Sequence, residues 1–262
     1  WSSDVCSSDL NYFSKHCNGT QEVDKKQSFY CGDAAGRPKS GKKPKDFSDS
    51  DRKFALNCDL TFYTPEQYFL GSKEKLPELE FNIKTYKSKE GEIPVEDKKK
   101  LSADETEVVI FVGGPGAGKS TFWNNYLSDY VRVNNDTLKT KEKCMKVTRE
   151  SLKEGKSVVI DNTNPDQATR ARYTNIAKEF KVPIRCFFFN FEKKICMHNN
   201  KQRKTNPHRK HFSKKVGDVI IHTFYKKLEK PTTSEGFTEV VTVNFVPGPF
   251  DSKKDEESYY SF

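Results

Sequence analysis

Apolar residues follow two regimes along the chain. From Glu107 onward, short apolar runs alternate with stretches of helical period. Val108–Val112 is an unbroken apolar run of the kind that forms a strand buried on both faces. Val131–Asn134, Ser157–Asp161, Ile184–Phe189 and Val240–Phe245 read as further strands. Between them the pattern predicts helices. One follows a glycine-rich turn and ends near Leu127; one follows Asn134, runs to Lys153 and stops at Gly155. A third places Tyr173, Ile176, Ala177 and Phe180 at i, i+3, i+4 and i+7, with Asn164 as N-cap, Pro165 at N1 and Asp166 in the first turn. In a fourth, Ser213 is the cap, Val216, Val219, Ile220, Phe224 and Leu228 form one face, and Pro231 is the stop. Strand–helix alternation of this kind predicts parallel βαβ units. The fold class is therefore α/β, a mostly parallel sheet flanked by helices with its ligand at the carboxyl ends of the strands.

Before Glu107 the pattern is sparser. Residues 28–33 read as a strand ending in Gly-Asp, and a basic loop at 37–45 follows. Thr64-Pro65-Glu66 supplies an N-cap, a proline at N1 and an early acid, a helix-start signal. Residues 71–105 are charged and interrupted by Pro77, Gly91 and Pro94, as a linker would be. Residues 1–10 lack Met and any periodicity and are expected to be extraneous to the fold; residues 251–262 are expected to form a frayed polar tail. The domain reading is 11–70, a linker at 71–105, and 106–250.

Charge sharpens this picture. The 262 residues carry a net charge of +9, and residues 191–230 alone hold twelve Lys/Arg against three acids, an excess equal to that of the whole chain. A segment this basic is either the footprint of a polyanion or a solvated helix face. No apolar run approaches the ~20 residues that span a bilayer, and no basic-then-apolar leader is seen, so a soluble intracellular protein with no membrane partner is expected. Seven cysteines at irregular spacings, with no Cys-x-x-Cys, point to a reducing compartment rather than to disulfides or structural zinc.

Residues 113–120 read GGPGAGKS, between an apolar strand and a helix. That is a P-loop in its proper context. Gly113, Gly114, Pro115, Gly116, Ala117, Gly118, Lys119, Ser120 and Thr121 are the expected nucleotide-binding residues. The glycines let successive amides face phosphate oxygens; Lys119 is suited to the β- and γ-phosphates, and Ser120 to Mg²⁺. ATP and Mg²⁺ are the expected cofactors.

The acceptor side is less determined. Asp136 follows the second strand and is either a base for an acceptor hydroxyl or a helix cap, with Asn134 beside it as a candidate substrate ligand. Asp161 ends the third strand, as a Walker-B-like contact to Mg²⁺ through water or as a turn and cap residue. Arg170 and Arg172, read as lying off the apolar stripe of their helix, either reach substrate phosphate or face water. Arg203, in the basic run HNNKQRKTNPHRKH, is the candidate cation for the transferring group. His208 and His211 read as surface residues.

GGPGAGKS, VNNDTL at 133–138, VVIDNTNPDQATRARY at 158–173, HNNKQR at 198–203 and EGF at 235–237 stand in an order that resembles the bifunctional polynucleotide kinase 3′-phosphatases. The resemblance spans about Phe29 to Val246. It implies a P-loop kinase domain that phosphorylates 5′-hydroxyl ends of DNA, with RNA as the alternative, in strand-break repair. Asp136 would be the general base and Arg203 the lid arginine, the basic stretch would hold the nucleic acid end, and the protein would be nuclear and monomeric. The family's Asn-Arg-Asp is here Asn-Asn-Asp. YCGDAAGRP at 30–38 and KDFSDSDRKFALN at 45–57 are similar to the last part of a HAD-type phosphatase domain, where Asp33 would bind Mg²⁺. Residues 1–29 contain no D-x-D-x-T nucleophile loop, so 3′-phosphatase activity is expected to be lacking in this chain. Two alternatives stay open: a small-molecule or nucleoside kinase of the same fold, and a non-catalytic nucleic-acid-binding fragment.

Overall fold

The computed structural model describes residues 7–19, 21–41, 43–87, 92–96, 101–205 and 216–261. It divides into two compact units, Trp1–Thr85 with Glu257–Phe262, and Tyr86–Glu256.

The first unit contains α1 (Ser7–His16), β1 (Phe29–Cys31), α2 (Ser50–Asn57), β2 (Thr61–Tyr63) and α3 (Pro65–Leu70). β1 and β2 pair in parallel, Phe29 opposite Thr61 and Cys31 opposite Tyr63. The Thr64 signal is fulfilled as a full capping box: the Thr64 side chain accepts from the Gln67 amide and Gln67 reaches back to the Thr64 amide. The reading of residues 1–10 is corrected in part. Ser7–Leu10 belong to α1, which meets no Gly or Pro before Gly19 and ends in Lys15 and His16, cations suited to a helix carboxyl end. Residues 1–6 lie outside the described residues. The boundary between units falls at 85/86, inside the segment read as linker, where Ile83–Tyr86 forms a 3₁₀ turn.

The second unit runs β3 (Val108–Val112), α4 (Lys119–Tyr126), β4 (Val131–Val133), α5 (Asn135–Leu138), α6 (Lys141–Lys153), β5 (Val158–Ile160), α7 (Gln167–Phe180), β6 (Ile184–Phe189), α8 (Lys193–Thr205), α9 (Asp218–Lys227) and β7 (Glu239–Val243), and the division at 256/257 falls within α10 (Lys253–Tyr259). The sheet order is β4-β5-β3-β6-β7 and every pairing is parallel. β3 is central and wholly buried, which its uninterrupted apolar run requires. Alternation along β3 splits the core. Val108, Ile110 and Val112 join Cys144, Leu152, Tyr173 and Ile176 from α6 and α7. Phe111 instead packs edge-on against Phe122 of α4, with Phe187 and Phe189 in the same aromatic group. At the amino ends of β3 and β6, Glu107 accepts from Arg185 and from the Tyr130 hydroxyl, a buried clamp facing away from the loops.

Four details depart from the sequence pattern. The helix expected to run from Asn134 to Lys153 is two helices, because Lys139 turns to φ 70 and Thr140 caps α6 anew by accepting from the Lys143 amide. The cap of α7 is Asp166 rather than Asn164; Asn164 sits at φ 44 and donates to the Phe111 carbonyl at 2.8 Å. In α9 Gly217 is the N-cap, Ser213 lies outside the described residues, and the buried positions are Ile221 and Phe224, while Val219 and Ile220 are exposed. The tail is partly ordered: α10 forms, and Tyr259 and Tyr260 are buried.

Candidate nucleotide and acceptor site

β3, β4 and β5 all end on one side of the sheet, so the turns after them converge. The loop after β3 curls through positive φ at Gly116 and Gly118, and Gly118 becomes the N-cap of α4. A side chain at Gly116 is excluded twice, by its φ of 88 and because a Cβ there would lie within 2.4 Å of the Cys196 carbonyl oxygen. Lys119 is buried and folds back on the loop, its Nζ donating to the Gly113 and Gly114 carbonyls at 2.9 and 2.8 Å. Burial pushes its ammonium below the ordinary lysine range, against the opposing pull of Asp161 and Asp136.

Behind the loop, Ser120 Oγ donates to Asp161 Oδ2 at 2.9 Å, so the two residues expected at a metal do meet. A third residue joins them that the sequence reading passed over. Arg132, in the middle of β4, donates from Nε to Asp161 Oδ2 at 2.8 Å and from Nη2 to Ser120 Oγ at 2.8 Å, with its guanidinium over the Trp123 ring. The available signal was a lone charge within Val-Arg-Val, which strand alternation points to the face opposite Val133. Mg²⁺ favours hard oxygen donors and takes few protein ligands beside substrate phosphates. A buried carboxylate beside a hydroxyl, already holding a cation, fits that ion.

On the acceptor side, Asn134 is the N-cap of α5, its Oδ1 accepting from the Thr137 amide at 2.9 Å. Its side-chain oxygen is thereby engaged within the helix. The same bond relieves Asp136 of capping. Asp136 lies exposed in the first turn of α5, and its charge acts on both Lys119 and Arg203. Asn162 Oδ1 accepts from the Asn135 amide and ties the end of β5 to α5, while Asn135 accepts from the Cys144 thiol and so points away from any arginine-like role. Arg203 lies on α8. Burial lowers its pKa against the pull of Cys196, Asp136 and Asp161, and it has no hydrogen bond or ion pair among the described residues.

Arg170 is a correction. It is fully buried, donates to both carboxylate oxygens of Glu235 at 2.7 Å and to the Asn164, Pro165 and Glu229 carbonyls. It therefore faces neither phosphate nor water. Position 170 lies three and seven residues before Tyr173 and Ala177, hence on the apolar stripe rather than off it. Arg172 stays half-buried beside Asp166 with no hydrogen bond among the described residues, and nothing brings it to the loop. In the first unit, Asp33 follows β1 as an exposed residue, while Asp46 and Asp51 are engaged by the Arg37 and Ala34 amides. No group of three or more metal-binding side chains occurs among the described residues. His208 and His211 lie outside them, and no described helix is long and apolar enough to cross a membrane.

Two family models match. One is described as polynucleotide kinase 3 phosphatase and covers residues 9–69; the other is described as an AAA domain and covers 139–226. The bifunctional polynucleotide phosphatase/kinase of Schizosaccharomyces pombe is 38% identical over 256 residues, which is 96% of this chain and 58% of that protein. A putative bifunctional polynucleotide phosphatase/kinase of Acanthamoeba polyphaga mimivirus is 38% identical over 265 residues, 90% of this chain and 60% of its own. The polynucleotide 3′-phosphatase ZDP of Arabidopsis thaliana is 48% identical over 58 residues, 22% of this chain and 8% of that protein. The chain thus spans less than two thirds of the length of its bifunctional relatives. Along almost its whole length, it is similar to these two bifunctional polynucleotide phosphatase/kinases.

Proposed function

We propose that the second unit transfers the γ-phosphoryl group of ATP to the 5′-hydroxyl end of a nucleic acid. The observation that carries this reading is Asp136. It is an exposed carboxylate freed from capping by Asn134, and its charge reaches the loop lysine and the α8 arginine together. The loop amides after β3 bind the phosphates, and Lys119 exchanges its two loop carbonyls for phosphate oxygens. Asp136 accepts the proton of the 5′-hydroxyl as that oxygen bonds to the γ-phosphorus. The bond from phosphorus to the β–γ bridging oxygen breaks, and ADP leaves. Arg203 neutralises charge on the group in flight. Mg²⁺, held by Ser120 and Asp161, supplies charge stabilisation on the phosphate oxygens when bound.

Nucleic acid as the acceptor is supported by the basic excess of residues 191–230 and by the names of the relatives. DNA is the preferred form of this reading, with RNA as its alternative. The reading is confined to the second unit, and the 3′-phosphatase chemistry in those names is not part of it.

The test is labelling of a 5′-hydroxyl oligonucleotide from γ-labelled ATP with Mg²⁺. Activity is expected from the unaltered chain and is expected to fall at least ~100-fold in both Lys119→Ala and Asp136→Ala. Wild-type turnover in Asp136→Ala would refute the base assignment. Equal labelling of free nucleosides would favour a nucleoside kinase instead.

A further inference from the structure

Among the described residues, Arg132 is the one side chain that hydrogen-bonds to both residues of the proposed metal site. Its guanidinium spans Asp161 Oδ2, at 2.6 Å from Nη2 and 2.8 Å from Nε, and Ser120 Oγ at 2.8 Å. The Asp161 side chain is only 2% exposed, so its charge needs a partner, and Arg132 supplies it. In the reading above, Ser120 Oγ would hold Mg²⁺ directly and Asp161 would hold it directly or through water. Mg²⁺ takes its oxygens at about 2.0–2.1 Å, inside the 2.8 Å at which the guanidinium sits on Ser120 Oγ, and two cations beside one carboxylate repel. Both cannot occupy the pair at once.

The arginine also has somewhere to go. Its side chain is 30% exposed, and its Cζ already lies 5.0 Å from the Trp123 ring centre. The ring is fixed by its Nε1 donating to the Tyr130 carbonyl. A cation stacked on a fixed indole keeps a favourable contact when it gives up its carboxylate.

We infer that Arg132 is a displaceable cation that holds the metal-binding pair in the empty enzyme and competes with Mg²⁺ for it. Metal entry then exchanges a singly charged cation for a doubly charged one and costs the charge-assisted bonds of Arg132. This inference rests on the metal–nucleotide reading above and adds a positioning residue to it.

The test is binding rather than turnover. Mn²⁺ replaces Mg²⁺, and free Mn²⁺ is measured by electron paramagnetic resonance with saturating ADP, for the unaltered chain and for Arg132→Gln. Loss of the competitor is expected to tighten Mn²⁺ binding about tenfold or more, the scale of one or two charge-assisted hydrogen bonds. A second readout uses Trp1→Phe, which leaves Trp123 as the single tryptophan. Adding Mg²⁺ to its ADP complex is expected to change Trp123 emission as the guanidinium shifts, and the same step is expected to be silent once Arg132→Gln is added. Equal or weaker Mn²⁺ binding by Arg132→Gln, or no metal-dependent emission step in Trp1→Phe, overturns the inference. If neither protein binds Mn²⁺ with ADP, the metal–nucleotide reading falls with it.

Discussion

Lys119 carries a testable titration. Burial disfavours its charged form, so its proton leaves at a lower pH than the ordinary lysine value of 10.5. A nucleotide's phosphates favour the ammonium. Below the lowered pKa, binding takes up no proton at this group; as pH rises through it, binding must draw a proton in, and affinity falls. Calorimetry of nucleotide binding in two buffers of different ionisation enthalpy is expected to show proton uptake beginning below pH 10.5, and none at this step in Lys119→Met. The motif named this lysine from sequence alone, because glycine spacing between a strand and a helix constrains the backbone so tightly. Its present partners, two loop carbonyls, were not legible, since they depend on how the loop closes. Arg132 was illegible for a related reason: a charge in a strand acquires meaning only when the neighbouring strand end and helix are in place.

Elements were legible where one pattern dominated. β3 and β6 match their expected spans residue for residue. Boundaries failed where capping side chains compete: Asn164 and Asp166 are both good caps, and the winner is Asp166 because Asn164 is drawn to the Phe111 carbonyl. The break between α5 and α6 has the same origin in Thr140, and Thr140→Ala is expected to cost about 1 kcal/mol in denaturant unfolding. Arg170 joins α7 to the turn at Thr233–Glu235. Removing it strands Glu235 inside the protein, so Arg170→Met is expected to destabilise by about 3–5 kcal/mol. Arg170→Met with Glu235→Gln together is expected to recover part of that loss, since no buried charge is left alone. A phosphate-binding Arg170 would instead leave the melting temperature in place and lower activity alone.

At the scale of the molecule, the strand order puts the β3 loop, the β5 carboxylate and the β4–α5 turn side by side at the strands' carboxyl ends, where parallel sheets bind their ligands. That convergence was readable from strand–helix alternation. The neighbour relations were not, because β5 inserts between β3 and β4 against their order in sequence. The concentrated positive charge has a consequence for the acceptor. If several phosphates of an oligonucleotide are neutralised, the logarithm of its affinity falls linearly with the logarithm of salt concentration. Fluorescence anisotropy of a labelled 5′-hydroxyl oligonucleotide is expected to show such a slope, whereas ADP binding is expected to be far less sensitive.

The Gly116 peptide is wedged beneath the Cys196 carbonyl, and its own oxygen accepts from Asn199 at 2.8 Å. Both residues belong to α8, one to two turns ahead of Arg203 on the same rod. In the reaction proposed above, a nucleotide that moved this peptide would carry α8 and Arg203 with it, coupling donor binding to the placing of the cation.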